Sequence, residues 1–398
     1  MRKMSGNTGR AWIEVNLNNL SHNVKNLKSA MPKKCELMAV VKAEAYGHGA
    51  YVVSRSLNKM GVRAFAVATL EEGIKLRRGG IRGEILILGY TEVLRAYDLK
   101  KYSLTQTVID YGYAEALNRQ KIPLKVHVKI DTGMHRLGVG WDEPGKVRKI
   151  FSMKYLDATG IFTHLSCSDS LEPGDVSFTQ KQIRRFYRCI GHLKNRGIAI
   201  PKVHIQSSYG LLNYPNLSCD YVRAGIALYG CFSSPGDKTR LNLDLRPVLS
   251  LKAKVVLIRE IKKGEPFGYG RNFTAGRDTR IALISIGYGD GYPRSLSWGN
   301  GWVKIRGYVL PVIGNICMDS LGVDITDAER VRPGDTAVLI GQGDVSASSL
   351  AGLGGSISNE LLCRMGRRLP VVIKMRKNYK RCVEELHCKI RCDKGNIF

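Results

Sequence analysis

The sequence predicts an α/β fold, a parallel (β/α)8 barrel followed by a mostly β C-terminal domain, and three observations carry that prediction. Eight short β-forming runs alternate with stretches of helical periodicity over about 220 residues, the number and size of such a barrel. After about residue 245 the texture changes to Val- and Ile-rich runs separated by glycine-containing turns. The ends of the barrel runs, where barrel enzymes build their sites, are well supplied with polar residues.

In chain order, the eight runs are 38–43, 64–69, 84–89, 105–110, 124–131, 159–165, 202–207 and 222–229. Between them, Leu17, Leu20, Val24 and Leu27 recur at helical spacing, as do Ile183, Phe186, Ile190 and Leu193. The later runs 249–261, 279–286, 302–316, 321–325 and 336–340 read as strands of the second domain. Residues 356–368 read as a helix or irregular connection and 369–375 as a last strand. The expected division is a barrel over 11–245, a β domain over 246–375 and a basic tail over 376–398.

The 398 residues, 44% of them hydrophobic, suffice for two domains with substantial cores. No run approaches the length of apolar chain that spans a bilayer, and the first residues lack the apolar segment of a signal peptide, so a soluble, cytoplasmic protein away from membranes is expected. Most of the 10 cysteines, among them Cys167, Cys231, Cys317 and Cys363, lie singly in apolar or strand-like runs and read as reduced packing residues. Cys382, His387, Cys388 and Cys392 crowd the tail, but their spacing matches no common structural zinc pattern, and no metal is expected. The net charge of +28 is spread along the chain without a basic arm, zinc finger or aromatic-basic motif, which argues against a specific nucleic-acid partner.

The strand ends carry the chemistry. The first run passes through Met38-Ala-Val-Val-Lys42 into Ala-Glu-Ala-Tyr-Gly-His-Gly49, presenting one amine where an apolar strand breaks into a small-residue turn. Desolvation there makes a lysine a usable nucleophile or base, Tyr46 offers a hydroxyl nearby, and Gly47 and Gly49 let the backbone approach a ligand. Strand alternation puts His127, Lys129 and Asp131 of the fifth run on one face. The sixth run ends at His164, the seventh at Ser207 and Ser208, and the eighth contains Arg223 before Gly225 and Ile226. Hydroxyls and amides after strands seven and eight suit a phosphate. A reactive lysine facing such a cradle is what pyridoxal phosphate requires, an aldehyde held at one end and a phosphate at the other.

The chain resembles the alanine racemase family over nearly its whole length to about residue 375. The resemblance rests on the run 39–49 around Lys42, on Val126-His-Val-Lys-Ile-Asp-Thr-Gly-Met-His-Arg-Leu-Gly138, on Ile286-Gly-Tyr-Gly-Asp-Gly291 and on Gly314-Asn-Ile-Cys-Met-Asp319. It implies a pyridoxal-phosphate enzyme that interconverts L- and D-alanine, supplies D-alanine for peptidoglycan and works as a homodimer with shared active sites. Lys42 is then the cofactor's lysine and one catalytic base. Tyr46, Ser208, Gly225 and Ile226 hold the phosphate, and Arg223 meets the pyridine nitrogen. Tyr269, in Phe267-Gly-Tyr-Gly270, is implied as the second base, supplied from the other subunit and assisted through His164 and Arg223. Arg136, Met318 and Tyr288 are implied at the substrate, and Lys129 matches a lysine that is carbamylated in several members.

Several positions depart from the family pattern. Asn359 stands where a tyrosine is usual, Asn315 where the substrate corridor has an arginine, and Ser207 where asparagine is usual, whereas Asp169 and Arg294 match. Asn359 is closer to the racemase domains of membrane-bound serine racemases linked to vancomycin resistance, whose membrane segment has no counterpart in this sequence. Loss of the tyrosine makes room for a hydroxymethyl side chain, so serine racemase or a dual alanine and serine racemase is the alternative. A decarboxylase of the same architecture would need an acidic partner for the pyridine nitrogen, where this chain has Arg223.

Overall fold

The computed structural model describes residues 9–366 and 368–375. The Cys- and His-containing tail lies outside them.

The chain begins with β1 (Ala11–Asn16), which leads into the helix Leu17–Ala30. The side chain of Asn16 caps that helix, accepting from the backbone N–H groups of Asn18 at 3.0 Å and Asn19 at 3.3 Å. Its predicted stripe of Leu17, Leu20, Val24 and Leu27 is buried.

The barrel strands follow as β2 (Glu36–Val40), β3 (Ala64–Val67), β4 (Glu84–Ile87), β5 (Thr105–Val108) and β6 (Leu124–Asp131). After the two-residue β7 (Val139–Gly140) come β8 (Leu156–Phe162), β9 (Lys202–His204) and β10 (Tyr221–Ala224). All pair in parallel in the order β10-β2-β3-β4-β5-β6-β8-β9, with β7 beside β6. The seam between β9 and β10 is bridged by Asp220 N–H to the Val203 carbonyl at 2.7 Å and Arg223 N–H to the Gln206 carbonyl at 3.0 Å. Burial on both faces explains why runs such as β3 and β4 read as continuous apolar sequence, whereas β6 alternates with polar side chains on one face.

β11 (Leu249–Ile261) opens the second sheet, pairing with the strands Thr336–Ile340 and Thr279–Ile284. The strands Leu321–Asp324, Tyr308–Ile313 and Trp302–Ile305 complete a closed ring with them. The predicted run 302–316 is therefore a hairpin, turned at Arg306 and Gly307, and 222–229 is the strand β10 followed by a 3-10 turn at Ile226–Tyr229.

One assignment differs from expectation. β1 pairs with β11 and with the last strand, Val371–Lys374, and so belongs to the second sheet rather than to the barrel. It is flanked on both sides within that sheet, and only long-range pairing decides which sheet it joins. Buried Asp290 strengthens that junction: Arg10 reaches its two carboxylate oxygens at 3.0 and 2.8 Å and Arg368 lies at 3.2 Å. The seven cysteines among the described residues are all free, and only Cys35 and Cys219 approach each other, with Sγ atoms 3.5 Å apart. No helix among the described residues is long and apolar enough to cross a membrane.

Candidate active site

A cavity of about 460 Å³ opens at the C-terminal ends of the barrel strands. Lys42, Tyr46, Lys129, Arg136, His164, Ser208, Arg223, Gly225, Ile226 and Asn359 all line it. A larger cavity, about 740 Å³, lies at the opposite, N-terminal ends, but none of those residues reaches it. The chemistry therefore belongs to the smaller one.

Lys42 sits two residues beyond β2, half-buried, at the head of an unusual turn. Ala43 (φ 50°, ψ 53°), Glu44 (φ 53°, ψ 42°) and Ala45 (φ 55°, ψ 51°) are left-handed, and Tyr46 follows with φ 52°. Each such non-glycine residue costs roughly 1–2 kcal/mol, so the surroundings must hold the turn in place. Ala45 N–H donates to the Val41 carbonyl at 2.9 Å, Gly49 N–H to the Glu44 carbonyl at 2.8 Å and Ala43 N–H to Glu72 Oε1 at 2.6 Å. Glu72 also completes the capping box with Thr69 at the start of the helix Leu70–Arg78, and Lys75 of that helix pairs with Glu44. The left-handed turn brings Lys42 and Tyr46 to the same cavity.

Gly47 has another purpose than the one its sequence suggests. It does not line the cavity, and a Cβ there would strike the Leu362 carbonyl. At φ 81° it packs the turn against the helix Ser358–Cys363, the element that carries Asn359. Gly225 is the glycine that allows close approach, because a Cβ on it would lie 2.8 Å from the Tyr46 hydroxyl. Ser208 Oγ accepts from the N–H groups of Gly225 at 3.0 Å and Ala227 at 3.3 Å. Ser208 begins the short helix Ser208–Asn213, capped by Ser207, and the two hydroxyls, Tyr46 and these amides form one cluster of donors. Burial raises the Tyr46 phenol well above its ordinary value, so it acts as a neutral donor.

Arg223 is 4% exposed. Its Nη1 lies 2.8 Å from His204 Nδ1, and its Nη2 donates to the carbonyls of Thr163 at 2.8 Å and Ile205 at 3.2 Å and lies 3.2 Å from His164 Nδ1. Both Nη groups are thus committed to the barrel, and Nε makes no hydrogen bond among the described residues. Burial brings the guanidinium down to about 10, which leaves it protonated at neutral pH. Burial, then the cations Arg223, Arg136, Lys129 and Lys42, hold His164 well below the ordinary imidazole range, so it is a neutral acceptor for Arg223. Burial, with Arg136 and Arg223 nearby, lowers Lys129 to about 8. Four cationic side chains, Lys42, Lys129, Arg136 and Arg223, line the cavity against the single carboxylate of Asp169. That imbalance suits a strongly anionic ligand. The donor cluster at one end, the amine of Lys42 and the guanidinium of Arg223 fit pyridoxal phosphate.

Three residues expected at the site stand apart from this cavity. Tyr269, Tyr288 and Met318 lie on the second domain, 73%, 44% and 53% exposed, and none of them lines it. Tyr269 opens a 3-10 turn between the positive-φ residues Gly268 and Gly270. Asn315, 5% exposed, holds its backbone, and Arg294 Nη2 donates to Asn315 Oδ1 at 3.3 Å. Sequence reasoning missed His204, whose sole signal was its place in the seventh run, and Ser233, whose hydroxyl donates to Asn359 Oδ1 at 2.9 Å.

Comparison with known proteins identifies the family. Residues 15–233 match the family model for the alanine racemase N-terminal domain and 248–373 the model for the alanine racemase C-terminal domain. An amino-acid racemase of Enterococcus faecalis is 52% identical over 93% of the chain and 52% of its own length. A serine/alanine racemase of Enterococcus gallinarum is 41% identical over 92% and 52%. The chain thus spans about half the length of these curated relatives. An alanine racemase of Carboxydothermus hydrogenoformans is 40% identical over 90% of the chain and 98% of its own length. The solved alanine racemase of Clostridium difficile 630 superposes with a TM-score of 0.87 at 35% identity, covering 93% of this chain and 97% of that one. The chain belongs to the alanine racemase family.

Proposed function

We propose that the chain is a pyridoxal-phosphate-dependent racemase that interconverts L- and D-alanine and supplies D-alanine for peptidoglycan. The observation that carries this reading is the convergence of Lys42, the Tyr46, Ser208 and Gly225 cluster and Arg223 on one cavity. Tyr46, Ser208, Gly225 and Ile226 would hold the phosphate, Lys42 the aldehyde carbon, and Arg223 the ring nitrogen. Bound there, the cofactor withdraws electron density from the amino acid's Cα and acidifies its proton.

Lys42 Nζ exchanges the Cα proton on one face. Tyr269 of the partner subunit does so on the other, since a base on each face is what inversion requires. A tyrosine exposed on the second domain and absent from its own cavity is consistent with service to a second copy. The substrate carboxylate meets Arg136, and the partner's Met318 and Tyr288 narrow the approach. Neutral His164 accepts from Arg223 at Nδ1 and so carries its proton on Nε2, from which it would donate to the phenol oxygen and stabilise the phenolate form, with Arg223 too basic to give its own proton to the ring nitrogen. Lys129, lowered to about 8, has a fraction of neutral amine able to add carbon dioxide, releasing one proton to solvent, and the resulting carbamate would pair with Arg136.

Asn359 supports serine as a second substrate. It lines the cavity and is engaged by Ser233 through Oδ1, leaving its amide group for a substrate hydroxyl. Reconstitution of the purified chain with pyridoxal phosphate, followed by racemisation assays on L-alanine and L-serine, tests both readings. Turnover of alanine, lost in Lys42→Ala together with the cofactor's lysine-bound absorbance, is expected. Cofactor binding without turnover of either amino acid would contradict the proposal.

A further inference from the structure

Beneath the candidate site, polar side chains cross the barrel core to its other mouth. Arg223 Nη1 lies 2.8 Å from His204 Nδ1, His204 Nε2 lies 2.9 Å from His127 Nδ1, and His127 Nε2 stands 2.8 Å from Glu84 Oε1. His127 and His204 are fully buried, and Glu84 begins β4 at the N-terminal mouth. There Tyr221 donates to Glu84 Oε2 at 2.9 Å, and Lys202 donates to the Tyr221 hydroxyl at 2.6 Å.

The chemistry of the two ends fixes the order of donors. A guanidinium has only N–H donors, so His204 Nδ1 must accept and its proton must sit on Nε2. His127 Nδ1 then accepts, and its proton sits on Nε2, which lies 2.8 Å from a carboxylate that can only accept; the pair is a close charged contact whose angle falls short of a hydrogen bond. Burial, reinforced by Arg223 and His127, holds His204 well below the ordinary imidazole range, so it remains neutral. Burial alone would raise the Glu84 carboxyl, but contact with His127, Tyr221 and Lys202 outweighs it and keeps Glu84 ionised.

The fold makes room for this line of side chains. The pairing of β6 with β8 shifts register between Val126 and His127, and His127 then faces Gly160, where a Cβ would sit on the imidazole ring. Phe162 stacks on His204 with ring centres 4.5 Å apart and planes 9° from parallel. A bulge, a glycine and a stacked aromatic all serve two buried histidines that do not line the cavity.

We propose that Glu84 is a positioning residue: acting through His127 and His204, it fixes both imidazole tautomers and thereby holds Arg223 in its donor orientation from the opposite end of the barrel. The function of the relay rests on the reading of Arg223 as the cofactor's partner, whereas its tautomers do not. They can be measured in cofactor-free protein by ring nitrogen NMR of histidine-labelled chain, with signals assigned from His127→Asn and His204→Asn.

Wild-type protein should show both rings protonated at Nε2 only. Glu84→Ala should mix the tautomers at His127 and lower kcat for racemisation about tenfold, the worth of one close contact to a charged group, with KM for alanine little changed. Glu84→Gln, which keeps an acceptor oxygen, should restore both readouts. Nδ1-protonated or doubly protonated rings in the wild type would overturn the relay even if Glu84→Ala failed to fold. So would tautomers that Glu84→Ala leaves unmoved, or a kcat unmoved when they shift. Nε2 tautomers in a wild-type protein that binds no cofactor would instead leave the relay standing and remove the reading of Arg223.

Discussion

Asn315 donates from its side-chain amide to the backbone carbonyl of Tyr269 at 2.7 Å. An asparagine buried in the second domain thus fixes the turn that presents an exposed tyrosine, in a position where the family pattern has an arginine. Its Oδ1 is occupied by Arg294, so the amide cannot flip without losing a partner. Replacing Asn315 by alanine removes both bonds and loosens Tyr269. Steady-state kinetics of Asn315→Ala should show kcat reduced about five- to tenfold, the worth of about one hydrogen bond, with KM changed less.

Gly225 predicts a defect confined to cofactor binding. A Cβ at 2.8 Å from the Tyr46 hydroxyl is too close, and the neighbour is a buried ring with little room to yield. Spectroscopic titration of cofactor-free Gly225→Ala with pyridoxal phosphate should give affinity weaker by about tenfold or more. Adding Tyr46→Phe removes the clashing oxygen but also a phosphate donor, so it should recover only part of the loss.

Lys129 gives a pH signature. It titrates near its ordinary value of 10.5 in the unfolded chain and at about 8 in the fold, because burial, Arg136 and Arg223 disfavour its charge. Between those values the unfolded chain holds the proton more tightly. The Lys129 contribution to stability is therefore present at high pH and lost as pH falls through about 8. Thermal unfolding of cofactor-free protein should find Lys129→Met more stable than wild type at about pH 7, with the gap closing towards about pH 10.

Asn359 predicts the substrate range. Asn359→Tyr restores the bulk usual in the family and removes an amide that can pair a hydroxyl. The ratio of kcat/KM for serine to that for alanine should fall by about tenfold or more, as assays on both L-amino acids would show. An unchanged ratio would assign the discrimination elsewhere in the cavity.

Much of the fold was legible because parallel barrel strands are buried on both faces, and each of the eight runs became a strand. Lys42, Ser208, Arg223 and Gly225 were legible for a related reason: they sit at strand ends, and strand ends converge on one mouth. Other features had no local signal. Nothing in Ala43-Glu-Ala-Tyr46 favours left-handed backbone, which is imposed by Glu72 and by packing under Gly47. The membership of β1 in the second sheet depends on partners more than two hundred residues away. The line from Arg223 to Glu84 depends on a bulge, and a one-residue shift of register is invisible in the spacing of a single strand.

On the proposed mechanism, each active site is built from Lys42 of one subunit and Tyr269 of the other. Mixing inactive Lys42→Ala and Tyr269→Phe proteins under conditions that exchange subunits tests it directly. A mixed dimer has one site with both defects and one with neither, so random mixing should restore about a quarter of wild-type racemisation. Mixed dimers, demonstrated by differential tags, that remain as inactive as their parents would contradict the shared site.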